Sequence, residues 1–360
     1  MVVSLFSLVL LLVLQKIVLE RRYRAERETS DRYARALANG TRVEDLCVDP
    51  RRLSERRALA RALRAVGTDL GSGQLRAAPW YDELVRRLQR DARRKAWGER
   101  VAAFEMLGDL GAAELRPFLE EAAAREDQPQ AYAACLNSLA RLVDRASALE
   151  TLWNQLRAKP ALSRSFNEGI FRSAIAALSR HSSPDTAAEA VRHLLANANP
   201  RDRLTLDVIW AIGKSGLASL VPQLVALHRR PKAPKSLRIG CVRAVGMLQP
   251  GHPLLLIALS DRDWEVQASG AKYLRSTAPG VIAGLSNCLT SPAFYVRLNA
   301  ATTLPHLGRD GRSALERALT SPDAFAREIS RYALRVLDSL DGQRVADRPD
   351  APLHLERAHA

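Results

Sequence analysis

The chain has 360 residues, of which 47% are hydrophobic and only 5% aromatic, so it can bury a large core but lacks the aromatic enrichment of a β-rich protein. Its formal charge of +15 predicts either an anionic partner or a surface of solvated basic side chains, and charge alone does not decide between them.

The first predicted element is an apolar helix, VVSLFSLVLLLVLQKIVL, from Val2 to Leu19. Its 18 residues would span about 27 Å, close to the roughly 30 Å hydrocarbon core of a bilayer. No basic side chain precedes the run and no small-residue cleavage site follows it, which favours an uncleaved membrane anchor at 1–19 over a cleaved signal peptide. Cleavage is the alternative, and it would move the rest of the chain to the opposite side of the membrane.

Basic residues come directly after this run, at Arg21, Arg22, Arg24 and Arg27. By the positive-inside rule they predict a single-pass protein of the inner (cytoplasmic) membrane with the rest of the chain in the cytoplasm. The helical pattern continues through residues 20–40 as a polar juxtamembrane helix, and Asn39-Gly40 is typical of the turn that ends a helix.

Most of the remaining chain repeats itself about every 30 residues. Leucines keep this register at Leu255, Leu285 and Leu315, and the turn sequence TSP recurs at Thr290 and Thr320. Each period reads as two amphipathic helices joined by a short turn, and such hairpins bury their apolar faces by stacking. The pattern predicts a repeat array at 97–340, preceded by membrane-proximal helices at 41–96 that include a divergent repeat, and followed by a disordered tail at 341–360.

The segments SPAFYVRLNAATTLPHLG and SDRDWEVQASGAKYLRSTA resemble the second helix of HEAT repeats, in particular the HEAT-like repeats named after phycobilisome lyases. The resemblance implies an all-α fold, an α-solenoid of about seven to nine helical hairpins, here preceded by one transmembrane helix. Pro305 lies within one of the second helices and is expected to kink or break it.

Residues typical of catalysis or metal binding do not form a recognisable motif. The chain contains no HExxH, no phosphate-binding GxxxxGK[ST] and no GxSxG, and its four cysteines form no CxxC pair. The sequence therefore predicts a protein that is not an enzyme and that has no catalytic, cofactor-binding or metal-binding residues.

Two basic clusters are the candidate interaction surface. The first is predicted to share one broad face of a helix, and the second is in and beside a turn between helices: Arg86, Arg90, Arg93 and Arg94; and Arg229, Arg230, Lys232 and Lys235. Each cluster fits anionic headgroups or an acidic partner, and each also fits an ordinary solvated surface.

Two further sets of residues recur in the register. Arg238, Arg297 and Arg327 are predicted to form a ladder that bonds to neighbouring turns or acids. Trp264 and Phe294, at equivalent positions, are expected to be packing residues, with an exposed aromatic rim suited to peptide capture as the alternative.

The leading hypothesis is a membrane-anchored cytoplasmic scaffold that binds a protein partner, such as a membrane enzyme complex, on its repeat surface. Anionic lipid headgroups are a second candidate partner. The alternative is a nucleic-acid-binding protein, since some DNA glycosylases use HEAT-like repeats with a basic surface, although an anchor argues against nucleic acid. The repeat resemblance alone also suggests a phycobilin-lyase-like protein, for which the sequence shows no bilin site.

Overall fold

In a computed structural model, the chain is described over residues 2–66, 72–160 and 166–346, and only the backbone is described in 2–12, 22, 72–73 and 340–346. These residues form helices and turns with no strand, which confirms the all-α class. They divide into two compact units, Met1–Leu194 and Leu195–Ala360.

The first unit begins with two helices that pack on each other and continues with helical hairpins. Its helices are α1 (Val2–Ala38), α2 (Leu53–Val66), α3 (Ser72–Arg76), α4 (Tyr81–Asp91), α5 (Trp97–Asp109), α6 (Arg116–Arg125), α7 (Pro129–Arg141), α8 (Ala146–Ala158), α9 (Asn167–His181) and α10 (Pro184–Ala196). Helices α4 and α5, α6 and α7, and α8 and α9 form hairpins, and the second helices α5, α7 and α9 stack in that order.

The second unit repeats this arrangement. Its helices are α11 (Arg203–Ser215), α12 (Val221–His228), α13 (Lys235–Leu248), α14 (Pro253–Ala258), α15 (Trp264–Tyr273), α16 (Val281–Cys288), α17 (Phe294–Thr303), α18 (Arg309–Ala318) and α19 (Ala324–Ala346). Hairpins form between α12 and α13, α14 and α15, α16 and α17, and α18 and α19. The row α11, α13, α15, α17 and α19 is continuous, so each unit is a stack of helical hairpins of the kind that the HEAT resemblance implies.

The repeating leucines form the core of the second unit. Leu255, Leu285 and Leu315 are completely buried in successive first helices of the hairpins. Each leucine therefore fills the same place in its hairpin, which is the physical basis of the 30-residue register.

Small residues near the ends of the second helices allow these helices to stack closely. A Cβ on Gly108 of α5 would lie 2.8 Å from the Ser138 Cα of α7. A Cβ on Gly213 of α11 would lie 2.9 Å from the Ala244 Cα of α13. No real side chain tolerates such contacts, so glycine at this position is required by the stacking.

Two predicted helix ends are confirmed. Helix α1 ends at Ala38, and Gly40 adopts φ +83, the left-handed conformation that glycine accepts without strain. Helix α17 ends at Thr303, and Leu304–Leu307, which includes Pro305, forms a 3-10 turn. Proline lacks the amide hydrogen that would continue the helix.

The predicted membrane anchor is wrong. None of the helices, as far as the structure describes them, has an apolar stretch long enough to cross a bilayer. Helix α1 runs without interruption through the proposed boundary between anchor and juxtamembrane helix, and its described side chains begin at Val13.

Because the anchor is wrong, the predicted single-pass, inner-membrane localisation is wrong as well. The arginines that follow the apolar run therefore have no role in orienting a membrane span. Arg21, Arg24 and Arg27 are exposed on α1, and the side chain of Arg22 lies outside the described residues. The predicted tail at 341–360 lies outside them as well, except for the end of α19.

Candidate interaction surface

The predicted arginine ladder is confirmed, and it is built from the turns inside the hairpins. Arg297 Nη1 donates to the Ser291 and Pro292 carbonyls at 2.7 and 3.0 Å, and Arg327 Nη1 donates to the equivalent Ser321 and Pro322 carbonyls at 2.7 and 2.8 Å. Arg238 Nη1 donates to the Ala233 carbonyl at 2.9 Å. Each arginine is the fourth residue of its helix, so the side chain folds back and fixes the turn that leads into that helix.

A cation near a helix N-terminus is unfavourable for the helix dipole, and Arg238 offsets this with two carboxylates. Its Nε and Nη2 donate to Asp261 at 3.0 Å each, and Nη2 also donates to Asp263. Burial alone would raise the pKa of Asp261, but the hydrogen bonds from Arg238 and the Asp263 amide outweigh it and lower the pKa. Arg238 therefore links two successive turns, 229–234 and 259–263. We refer to the row of turns inside successive hairpins of the second unit as the turn edge.

Arg297 has aromatic neighbours instead of carboxylates. Its Cζ lies 4.3 Å from the ring centroid of Phe325 in the next hairpin and 5.9 Å from that of Phe294. The residue is only 8% exposed although the two rings are largely exposed. The guanidinium thus holds the rings in place from beneath, through cation–π contact.

The rings continue along the turn edge. Trp264 and Tyr295 stack at 6.2 Å with an interplanar angle of 12°, and Phe294 meets Tyr295 edge-on at 5.5 Å. Exposed fractions are 44% for Trp264, 53% for Phe294, 58% for Tyr295 and 51% for Phe325. We refer to these four residues, carried by α15, α17 and α19, as the aromatic ledge. Trp264 and Phe294 pack on other exposed rings and on Arg297, so the alternative of an exposed rim describes them.

The first basic cluster does not form a single helix face. Helix α4 ends at Asp91, so Arg93 and Arg94 follow it, while Arg86 and Arg90 lie on it; all four are exposed. Acidic neighbours offset part of the charge. Arg86 lies 3.4 Å from Glu83, and Arg94 lies 3.1 Å from Asp91 and 3.2 Å from Glu99, whereas Arg93 lies 5.3 Å from the Phe118 ring centroid.

A cleft of about 380 Å³ lies beside the end of this cluster in the first unit. Arg93, Arg94, Arg100 and Arg125 contribute positive charge to it. Glu121, Glu126 and Asp127 line the same cleft. With nearly balanced charge, the cleft offers no strong attraction to an anion.

The second basic cluster retains more free charge. Lys235 forms an ion pair with Glu265 at 2.6 Å. Arg229, Arg230 and Lys232 have no carboxylate within ion-pairing distance in the described ranges, and Lys232 adopts φ +58, which few non-glycine residues do. Arg229 and Lys232 are exposed and Arg230 is half-buried. Since Glu265 follows Trp264 in the chain, this basic loop lies beside the start of the aromatic ledge.

Metal-ligating side chains and thiols are scattered through the described residues. Among the residues whose positions are described, no group of three or more His, Cys, Asp or Glu side chains is placed to hold a metal ion. Burial raises the pKa of the Cys241 thiol to about 12 and that of Cys288 to about 11, so both remain protonated at neutral pH. Cys135 is buried in the same way, and Cys47 is exposed.

Several residues of the ledge and of the first unit were not singled out from the sequence. Tyr295 and Phe325 are the second residues of α17 and α19, one place after the register position of Trp264 and Phe294, and this offset hid them. Asp109, buried in the first unit, accepts hydrogen bonds from Arg64 of α2 and Arg141 of α7. Lys159 donates to the Ala124 and Glu126 carbonyls at the end of α6. No local motif marks either residue.

No protein-family model and no curated protein matches the chain. Among solved structures, the chain is similar to Kap121p bound to Pho4p (11% identity, TM-score 0.37, covering 88% of this chain and 45% of that chain). It is also similar to Kap121p bound to Nup53p (11%, 0.35, 88% and 46%) and to the karyopherin Kap121p bound to the SUMO protease Ulp1p (11%, 0.36, 87% and 45%). The chain thus spans less than half the length of these proteins, and at such TM-scores the similarity carries no argument about its function.

Proposed function

We propose that the chain is a protein-binding adaptor without enzymatic activity, and that the aromatic ledge is its contact surface. The observation that carries the proposal is the continuity of four exposed rings, from Trp264 to Phe325, across three successive hairpins. Single exposed apolar residues are ordinary on protein surfaces, but a contiguous set is typical of an interaction site.

The ledge rings are held in place before any partner binds, which supports the same proposal. Aromatic residues dominate binding energies because they bury a large area while losing few side-chain rotations. Here part of that loss has already occurred, since Arg297 contacts Phe294 and Phe325 and Trp264 stacks on Tyr295. A surface ordered before binding costs a partner less free energy to engage.

The nucleic-acid alternative has less support. A phosphate backbone needs cations along its whole path, together with rings for the bases. Arg297, which contacts two of the ledge rings, is buried and donates to turn carbonyls. In the first basic cluster, Arg86 and Arg94 already have acidic partners.

The test is crosslinking and affinity capture of the full-length protein from its native cells, comparing two matched variants. W264S/Y295S removes one Trp and one Tyr from the ledge, and W97S/Y23S removes one exposed Trp and one exposed Tyr from the first unit. We expect the wild type and W97S/Y23S to recover the same protein in stoichiometric amount, and W264S/Y295S to recover it about tenfold less efficiently. Equal recovery by all three proteins, or recovery of nucleic acid alone, would contradict the proposal.

A further inference from the structure

The chemistry of the turn edge restricts what the ledge can bind. We infer that its partner is an extended, proline-rich segment flanked at one end by acidic residues. This inference rests on the proposed function and specifies the partner class of that same surface.

The preference for proline follows from what the ledge offers. Its rings are exposed, while the turn carbonyls beneath them already accept from Arg297 and Arg327. In the described part of the chain, the Trp264 indole N–H and the Tyr295 hydroxyl donate to no protein acceptor, and both residues are exposed. The surface therefore presents flat apolar faces and side-chain donors with few free backbone acceptors.

A polyproline II segment is complementary to these apolar ring faces and side-chain donors. Its prolines have no amide hydrogen to satisfy, its carbonyls remain free to accept, and its rings pack against aromatic side chains. Proline-rich segments elsewhere use the same combination when they dock on aromatic-lined surfaces. A partner strand would instead need a free sheet edge, and the described residues form no strand.

The acidic flank follows from the charge next to Trp264. Arg238 ties the turn 229–234 to Asp261 and Asp263, and Lys235 is bonded to Glu265. Arg229, Arg230 and Lys232 add positive charge to this loop and form no ion pair with a carboxylate of the described residues. A segment lying along the ledge would reach this basic loop at its Trp264 end, where carboxylates are attracted and lysines repelled.

A single-stranded nucleic acid is the competing anionic ligand, since it also combines charge with flat rings. Its phosphates continue along the entire strand, whereas three cations that form no ion pair among the described residues, Arg229, Arg230 and Lys232, lie together in the loop before Trp264. Beyond Trp264 the only arginine in contact with the ledge rings, within the described residues, is Arg297, which is 8% exposed. The distribution of charge therefore favours a peptide with a localised acidic end.

The experiment measures binding to the full-length protein by fluorescence anisotropy with defined probes. The test peptide has four glutamates followed by three Leu-Pro-Pro triplets. One control peptide carries lysines in place of the glutamates, and another carries Gly-Ser in place of the triplets. The proteins compared are the wild type, W264S/Y295S, W97S/Y23S and the loop variant R229S/R230S/K232S.

We expect the wild type and W97S/Y23S to bind the acidic proline peptide at least about tenfold more tightly than either control peptide. W264S/Y295S should lose binding of the proline peptide. The loop variant should retain the preference for proline but lose the discrimination between glutamate and lysine, and salt should reduce that discrimination in the wild type.

The outcomes also separate this inference from the function on which it rests. If the acidic proline peptide binds no better than its controls, or if oligothymidylate binds the ledge more tightly than the peptide, the inference is wrong. Loss of native partner capture in W264S/Y295S would still uphold the adaptor function in the first of these cases. If W264S/Y295S also captures the native partner as well as the wild type does, both the partner class and the adaptor function are wrong.

Discussion

Arg297 and Phe325 lie in contact across two successive hairpins, with the guanidinium carbon 4.3 Å from the centroid of the ring. The same guanidinium donates to the Ser291 and Pro292 carbonyls of its own hairpin turn. One side chain thus closes a turn, links two hairpins and supports an exposed ring. The stability of the stack and the shape of the candidate surface therefore depend on a shared residue.

Replacing Arg297 should be more costly than replacing its register partner Arg327. Both donate to two turn carbonyls, but in the described chain only Arg297 also contacts rings. We expect R297A to lose about 2–3 kcal/mol of unfolding free energy and R327A about 1–2 kcal/mol. Urea denaturation of the two variants measures the difference. An R327A loss equal to that of R297A would show that the ring contacts add nothing.

Alanine at Gly108 should destabilise the first unit, while alanine at Gly169 should stabilise it. A Cβ at Gly108 meets Ser138 at 2.5–2.8 Å, whereas a Cβ at Gly169, inside α9, meets nothing within 4 Å. Overpacking costs about 1–3 kcal/mol, and Gly to Ala in an open helix position gains about 0.5–1 kcal/mol. Thermal unfolding should therefore shift in opposite directions, and shifts of the same sign would contradict the close stacking of α5 and α7.

Removing Asp109 should loosen three stacked helices together. This carboxylate is 2% exposed and is bonded to Arg64 of α2 and Arg141 of α7. Its loss removes the carboxylate that both arginines share, but both are partly solvated, so we expect D109A to cost about 2–4 kcal/mol and D109N less. Replacing the exposed Glu105 on the same helix is the control, with an expected change within about 0.5 kcal/mol. A D109A loss as small as the E105A loss would mean that the carboxylate does not join these helices.

The first unit should lose stability in acid. Burial alone would raise the pKa of Glu126, but hydrogen bonds from Arg100 and the Gln128 amide outweigh it and lower the pKa. With the folded-state pKa below the ordinary value of 4.5, the contribution is complete above that pH and is lost as the pH falls through the folded value.

The glutamine variant of this residue isolates the effect. E126Q should be less stable than the wild type at neutral pH, and the gap between them should narrow below about pH 4.5. Unfolding free energies measured over a pH series test this expectation. A gap that is constant with pH, or that widens in acid, would contradict the assigned direction.

The repeat core and the arginine ladder were predictable because both are periodic. Leu285 and Arg297 recur at fixed spacing, and equivalent positions in stacked hairpins experience equivalent surroundings. The pairing of Arg94 with Glu99 was also within reach, since the acids that offset the first basic cluster lie close by in the sequence.

Other features were not predictable from residue type alone, because they depend on where a side chain points and on what surrounds a segment. Trp264 is the first residue of α15, where the helical period that places Val266 in the core only begins and gives little information about direction. The apolar run from Val2 to Leu19 matched the thickness of a bilayer closely enough to suggest an anchor. Hydropathy alone does not decide whether such a run crosses a bilayer.

The proposed function requires that a partner protein contacts the aromatic ledge. Hydroxyl-radical footprinting of the full-length protein, alone and in its captured complex, tests it most directly. Trp97 provides an internal control, since it begins α5 and is 50% exposed, as Trp264 begins α15. The account predicts that labelling of Trp264, Phe294, Tyr295 and Phe325 falls in the complex while that of Trp97 is unchanged. Equal labelling of the ledge in the free and bound protein would contradict it.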